Sequence, residues 1–382
     1  MTNNKLNDTT PEALKIGLLS DMVPSLNRAR NMVGELVRKE YADRISRPVE
    51  FIKYEYIGAP LASPMNAVTG FEFLADQGCL IIIGGNHSDN CKVVLDTADS
   101  RKVPTLSLGA SENIVSDYGF TVGWGTIPHD SYILANWCKA NGYERITVII
   151  DEAWHVREYV EYLQQACRKW DIRILSVGVI SEVSGELQTR QAREVVREHR
   201  SLNPDAIIQF AGSSATDAVL LAVHEAKWAV PRATNANFVR ICQPRNAANI
   251  LPEGTDDSYW EAREGWHGTS VVDEENPVLT EMLERFESAF NEKPFLIDAM
   301  ANYYDAFRVA FEAIVNAHLL SPAGVRDGLH KIKFLPAAAG GKGTVIGFGP
   351  YDHNGIKGKD PYVLRKIENG KTPLVHRFDV SL

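Results

Sequence analysis

Two short polar turns carry the side chains best placed for chemistry, Gly84-Gly85-Asn86-His87-Ser88 and Gly109-Ala110-Ser111. Each follows an apolar run, residues 80–83 (LIII) and 103–108 (VPTLSL). Two hydroxyls, one imidazole and glycine-rich backbone form a donor set that suits holding a small anion or carboxylate. It contains no activated nucleophile. Ser88 opens a helical pattern, so its ordinary role is an N-cap for free backbone N–H groups. Those N–H groups also attract anions, and the Gly-Gly step at a strand end favours ligand contact. Ser111 can equally be a turn serine, and His87 a loop residue.

Signals for catalysis are poor. In Gly340–Thr344 (GGKGT), Lys342 precedes Gly343 where a phosphate loop needs Ser or Thr, so the segment reads as a turn. His155, Glu158 and Glu161 can share one helix face, as metal ligands would. With no further ligand identifiable, a solvated face is the reading taken. Neither a G-x-S-x-G elbow nor a G-x-G-x-x-G step after a strand occurs. The chain is read as a non-enzyme, with no cofactor and no bound metal.

The elements that must position these turns follow from hydrophobic periodicity. Strands are expected at 14–19, 49–57, 80–83, 103–108 and 119–122, with helices at 26–41, 65–76 and from Ser88 onward. The alternation restarts at 145–150 (RITVII), then helix 154–170, strand 172–180, helix 187–199, strand 204–210 and helix 216–228. Two successive α/β halves meet near Trp124 and predict two doubly wound lobes with a cleft between their strand ends. Trp154 after the Asp151-Glu152-Ala153 turn, Trp124 and His129 on the joining loop, Ser213 in the Gly212-Ser213-Ser214 turn, and Asn235 to Asn237 are candidate cleft walls. Two long helices, from Asn276-Pro277 and over 299–319, precede the glycine-rich 336–349 segment, a strand at 361–367 and an Asn369-Gly370 hairpin turn.

The bulk numbers agree with a two-domain globular protein. The chain has 382 residues, 45% hydrophobic and 23% charged, with a net charge of −9. An acidic chain is a poor nucleic-acid partner. Its five cysteines stand singly, without the spacing of a zinc site or disulfide scaffold. The first 15 residues are polar and lack an apolar signal segment, so a cytoplasmic location is expected; a periplasmic or cell-surface location follows if a signal was removed.

The order of these strings resembles the type I periplasmic binding proteins, in the branch that binds branched-chain amino acids and amides for ABC importers. The strings are LIIIGG-x-x-S with VPTLSLGAS, RITVIIDEAW, NPDAIIQFAGSS, the helix pair containing Tyr304-Asp305-Ala306, and GTVIGFGPYDHNGIKGKDPYVLRKIENGK. The resemblance covers residues 14 to about 377. It implies two Rossmann-like lobes joined by three hinge crossings, near Trp124, Gly265–Thr269 and Thr344–Gly355. Residues 14–123 with 268–346 would form one lobe, 124–267 with 347–382 the other, and 1–13 a disordered tail. It further implies that Ser88 and the Gly109-Ala110-Ser111 turn hold a ligand head and that Trp154 covers the ligand; His87, Trp124, Ser213 and Asn235 are wall candidates on their own residues alone. The family's acidic partner for an α-amino group would fall in Thr234–Val239 (TNANFV), where no acid stands. The implied function is binding a small organic ligand, with a carboxylate or amide head and an aromatic or bulky apolar body, as the substrate-binding component of an ABC-type importer. An amide-responsive cytoplasmic sensor on the same fold is the alternative. The implied partners are the ligand, an ABC permease or a regulatory protein, and a second copy as homodimer.

Overall fold

β3 (Ile81–Gly84), the apolar run that precedes the first polar turn, is buried along its whole length. A strand buried on both faces belongs inside a parallel sheet, and that is where it lies. The structure is a computed structural model that describes residues 12–56, 63–123, 126–235, 238–242, 257–358 and 361–377. Residues 1–11 of the expected tail lie outside it. In chain order the first lobe has β1 (Leu14–Ser20), α1 (Pro24–Glu40), β2 (Val49–Glu55), α2 (Pro64–Asp76), β3, α3 (Ser88–Val93), α4 (Leu95–Arg101), β4 (Thr105–Ser107) and β5 (Gly119–Thr121). Its sheet runs β2-β1-β3-β4-β5, all parallel. The order reverses between β1 and β3, the switch point at whose carboxyl ends open α/β sheets bind their ligands.

The second lobe repeats the plan: α5 (Ile127–Ala140), β6 (Arg145–Ile150), α6 (Trp154–Lys169), β7 (Arg173–Val179), α7 (Glu186–Ser201), β8 (Ala206–Gln209), α8 (Ser213–Glu225), β9 (Arg232–Thr234), α9 (Phe238–Ile241), α10 (Asp257–Ala262) and β10 (Trp266–Ser270). Strands β7-β6-β8-β9-β10 reproduce the order of the first sheet. The chain then builds α11 (Pro277–Phe290), α12 (Ile297–Asn316) and α13 (Pro322–Leu329) onto the first lobe, α11 and α12 both packing on α1. A small antiparallel sheet follows, of β11 (Leu335–Pro336), β12 (Val345–Ile346) and β13 (Ile356–Lys357). β14 (Val363–Lys366) and β15 (Leu374–His376) finally add antiparallel strands to the second sheet.

β10 stays paired in the second sheet through Ser270, and Asn354 bridges to Thr121 of β5. The second and third passages between the lobes therefore follow Ser270 and Lys357, a few residues later than the hinge residues chosen from the sequence. Glu368 and Lys371 pair across Asn369 and Gly370, whose φ values of +53° and +68° are those of the expected tight hairpin. Among the described residues no helix is long and apolar enough to cross a membrane.

The 336–349 segment is tied to the helix pair. Asn276 Nδ2 donates to the carbonyls of Ala337, Ala338 and Gly340 at 3.0, 3.1 and 2.9 Å. Asp305, fully buried in α12, accepts from the backbone N–H groups of Ala338 and Ala339 at 2.8 and 2.9 Å. These contacts leave GGKGT as a pinned turn rather than a phosphate cradle. Burial pushes the Asp305 carboxyl up to about 6 against the pull of Arg308 and the two amides. The native state thus holds the proton more tightly than the unfolded chain, so this group makes stability fall as pH rises from about 4 to about 6. Asp305→Asn is expected to remove that slope, a difference of up to about 3 kcal/mol between pH 4 and pH 7 in urea unfolding. Parallel wild-type and variant curves over that range would contradict the assignment.

Candidate functional site

Each lobe ends its first strand with an aspartate that pins the turn across the switch point. Asp21, after β1, is 1% exposed and accepts four hydrogen bonds. Its Oδ1 takes Asn86 N and Asn86 Nδ2 at 3.0 and 3.2 Å; its Oδ2 takes His87 N and Asn90 Nδ2 at 3.1 and 3.0 Å. Asp151, after β6, accepts from Ala153 N at 3.0 Å and from Gly212 N at 2.7 Å. Burial raises its pKa above the usual carboxylate value. The same residue type at the same point of both lobes fixes the two turns that face the cleft.

Within the first lobe, Ser88 and Ser111 come together. Both are buried, and Ser111 N donates to Ser88 Oγ at 3.4 Å. Gly109 allows this approach, since a Cβ there would lie 2.8 Å from Ser88 Oγ. Ala110 turns its carbonyl to Ile127 N at 3.2 Å, joining the turn to the start of α5. Ser111 Oγ donates to the Glu158 carboxylate at 2.8 Å, and Asn113 Nδ2 donates to it at 2.8 Å. Glu158 belongs to α6 of the other lobe and is 8% exposed. The solvated-face reading of His155 and Glu158 is therefore corrected: both point into the lobe junction, and only Glu161 of the three stays exposed.

A second bridge crosses the junction at Asp89. The residue that precedes α6, Ala153, has no side-chain acceptor for the first N–H groups, and the first turn of the helix carries no acid. Asp89 of α3 supplies the missing cap from the opposite lobe. It accepts from Trp154 N at 3.0 Å and His155 N at 3.3 Å, and lies 2.9 Å from His155 Nδ1. A carboxylate at a helix N-terminus is favoured both by the free donors and by the helix dipole. Burial opposes ionisation of Asp89, but the hydrogen bond and charge of His155 outweigh it and bring its pKa down to about 2. His155 is lowered by burial and raised further by Asp89, so it ends above the ordinary histidine value. His87 shifts the other way, through burial and the neighbouring His155 ring. The two bridges tie α3 and the Ser111 turn of the first lobe to α6 of the second.

The remaining sequence candidates are placed as follows. The ring of His87 meets that of His155 edge to face, with centroids 5.2 Å apart. The Trp154 side chain is 39% exposed and contributes its backbone N–H to the Asp89 bridge. Asn235, 2% exposed after β9, hydrogen-bonds the hydroxyl of Tyr159, which also bonds Asp130. Thr269 Oγ1 donates to Asp130 at 2.6 Å, so this buried polar group sits where α5, α6 and β10 meet. Ser213 opens α8, with its side chain outside the described residues, as is Trp124 altogether. Sequence reasoning missed Asp21, Asp89 and Glu158 as parts of the site. The repeat of an aspartate after the first strand of each lobe was a legible signal for Asp21; none marked Asp89.

A family model described as periplasmic binding protein matches residues 47–371. Among solved structures, a leucine-binding protein from Thermotoga maritima superposes with a TM-score of 0.77 at 17% identity, covering 96% of this chain and 99% of its own. Two ABC transporter solute-binding proteins from R. palustris also superpose. One, in complex with 4-hydroxybenzoate, has a TM-score of 0.78 at 14% identity over 97% of this chain and 98% of its own. The other, in complex with benzoate, has 0.74 at 15% identity over 96% of each. No curated protein sequence matches the chain. With two parallel sheets of the same strand order, the chain belongs to the periplasmic binding protein family and has its type I fold.

Proposed function

We propose that this chain is the substrate-binding component of an ABC-type importer. It closes over a small organic ligand with a carboxylate or amide head and an aromatic or bulky apolar body. The observation that carries this reading is the meeting of two sets of strand-end turns, pinned by Asp21 and Asp151 and bridged by Asp89 and Glu158. Such a junction couples ligand binding to closure, because a ligand that touches both lobes favours the closed state by its differential affinity. The Ser88 hydroxyl and the Ser111 N–H hold the head; the long 3.4 Å bond between them is one that a ligand oxygen replaces at little cost. The neutral amide of Asn235, in the stretch where resemblance calls for an acid, offers no charge to an ammonium group. The aromatic acids held by the two R. palustris proteins support the same ligand class.

The test is a thermal-shift and calorimetric comparison of 4-hydroxybenzoate, benzoate, leucine and isoleucine on the full chain. An aromatic acid at a hundred times its Kd should stabilise the fold by about 2.7 kcal/mol, with leucine and isoleucine silent. Stabilisation by leucine alone would overturn the ligand class. Ser88→Ala should weaken the aromatic acid at least tenfold, about 1.4 kcal/mol, while melting close to wild type without ligand; unchanged affinity would remove Ser88 from the site.

A further inference from the structure

His87, Asp89 and His155 converge at the lobe junction, with one donor atom from each lying within 4.8 Å of the others. Two belong to the turn and first residues of α3 in the first lobe; His155 belongs to α6 in the second. The Asp89–His155 pair is already at 2.9 Å, and the two imidazoles touch edge to face. His87 Nδ1 is buried and has no hydrogen-bond partner. A ring nitrogen left without a partner beside a carboxylate and a second imidazole is a site short of one positive group. The carboxylates of Asp21 and Asp151 also act on His87 electrostatically and add to the negative surroundings.

Two imidazole nitrogens and one carboxylate oxygen are the donors that zinc and its transition-metal neighbours take, whereas calcium and magnesium favour oxygen donors alone. Donors bonded to one tetrahedral ion at about 2.0–2.1 Å lie about 3.3 Å apart. All three donors lie within 4.8 Å of one another, so reaching that spacing needs a contraction of at most about 1.5 Å. We propose that His87, Asp89 and His155 bind one divalent transition-metal ion of the zinc class, and that the ion locks the two lobes together. The site is complete only when the lobes are closed, because its third ligand comes from the opposite lobe. Three protein donors leave a further coordination position for water or a ligand oxygen. The proposal does not depend on which organic ligand, if any, the cleft accepts.

The experiment uses the full chain without an added histidine tag, stripped with EDTA and dialysed, and titrated with zinc chloride in the absence of organic ligand. One zinc per chain is expected, bound at micromolar Kd or tighter, with a smaller radius of gyration by X-ray scattering and no response to magnesium. His155→Gln and Asp89→Asn should each weaken zinc at least tenfold and abolish the compaction. Binding weaker than about 100 μM in the wild type, or undiminished binding in a folded His155→Gln variant, would overturn the proposal. Cobalt(II) gives an independent readout in the unaltered protein. Visible d–d bands without a thiolate charge-transfer band are expected. A thiolate band would place the ion on a cysteine and overturn the assignment as well.

Discussion

Gly84→Ala is expected to destabilise the first lobe by about 5 kcal/mol or more, in the range where a single substitution unfolds a domain. Gly84 ends β3 opposite Leu19 of β1, at the reversal of strand order, with φ +132°. A Cβ at that position would lie 1.8 Å from the Leu19 carbonyl oxygen. That oxygen is backbone within a parallel sheet, so it cannot swing aside as a side chain can. Relief requires β1 and β3 to part, which breaks the buried core of the lobe and moves Ser88 and His87 together. Gly142→Ala separates the two causes. Gly142 also has positive φ, +71°, but its Cβ would meet nothing within 4 Å. Its cost should be the backbone term alone, about 1–2 kcal/mol. Urea unfolding followed by circular dichroism measures both; equal costs for the two variants would show that the clash at Leu19 does not matter.

Asp21→Ala is expected to cost about 3 kcal/mol or more and to weaken ligand binding at least tenfold. Four donors converge on this buried carboxylate. Removing it leaves Asn86, His87 and Asn90 groups without their acceptor, and each buried donor so stranded costs about 1–3 kcal/mol. Some of that loss is recovered if water enters, so the stability effect is smaller than the sum. The effect on binding is separate: the turn bearing His87 and Ser88 loses the contact that fixes its direction. Asp21→Asn keeps the shape and one acceptor oxygen but turns an NH₂ group toward donors. It should cost about half as much in stability while still impairing binding. Calorimetry with the ligand found by the screen, alongside unfolding, would expose the contrary result, an Asp21→Ala protein that binds like wild type.

Much of the fold was determined by local sequence alone. Runs such as Ile81–Gly84 and Arg145–Ile150 are too short and too β-branched to be helices, and they became central strands. The β-α alternation and its restart at Arg145 gave two lobes, because a parallel strand pair needs a crossover helix and the crossover has one hand. The pairing of the turns at Ser88 and Ser111 followed from the same rule, and Asn369-Gly370 specified its hairpin by its positive φ requirement. The passages between lobes were less legible: whether a strand such as β10 ends at Thr269 or Ser270 depends on its partner, not on its own residues.

What the tertiary structure alone decided is the junction. His155, Glu158 and Glu161 are equivalent by helical spacing, and spacing cannot tell a helix face that meets water from one that meets another lobe. The meeting of the lobes makes the first two partners of Asp89 and Ser111 and leaves the third exposed. In the same way, α6 shows no cap in its own sequence because its cap stands 65 residues earlier, on the other lobe. Local patterns are written by near neighbours along the chain. Electrostatic and hydrogen-bond partners across a cleft are set by how two finished lobes meet, which no periodicity in either one records.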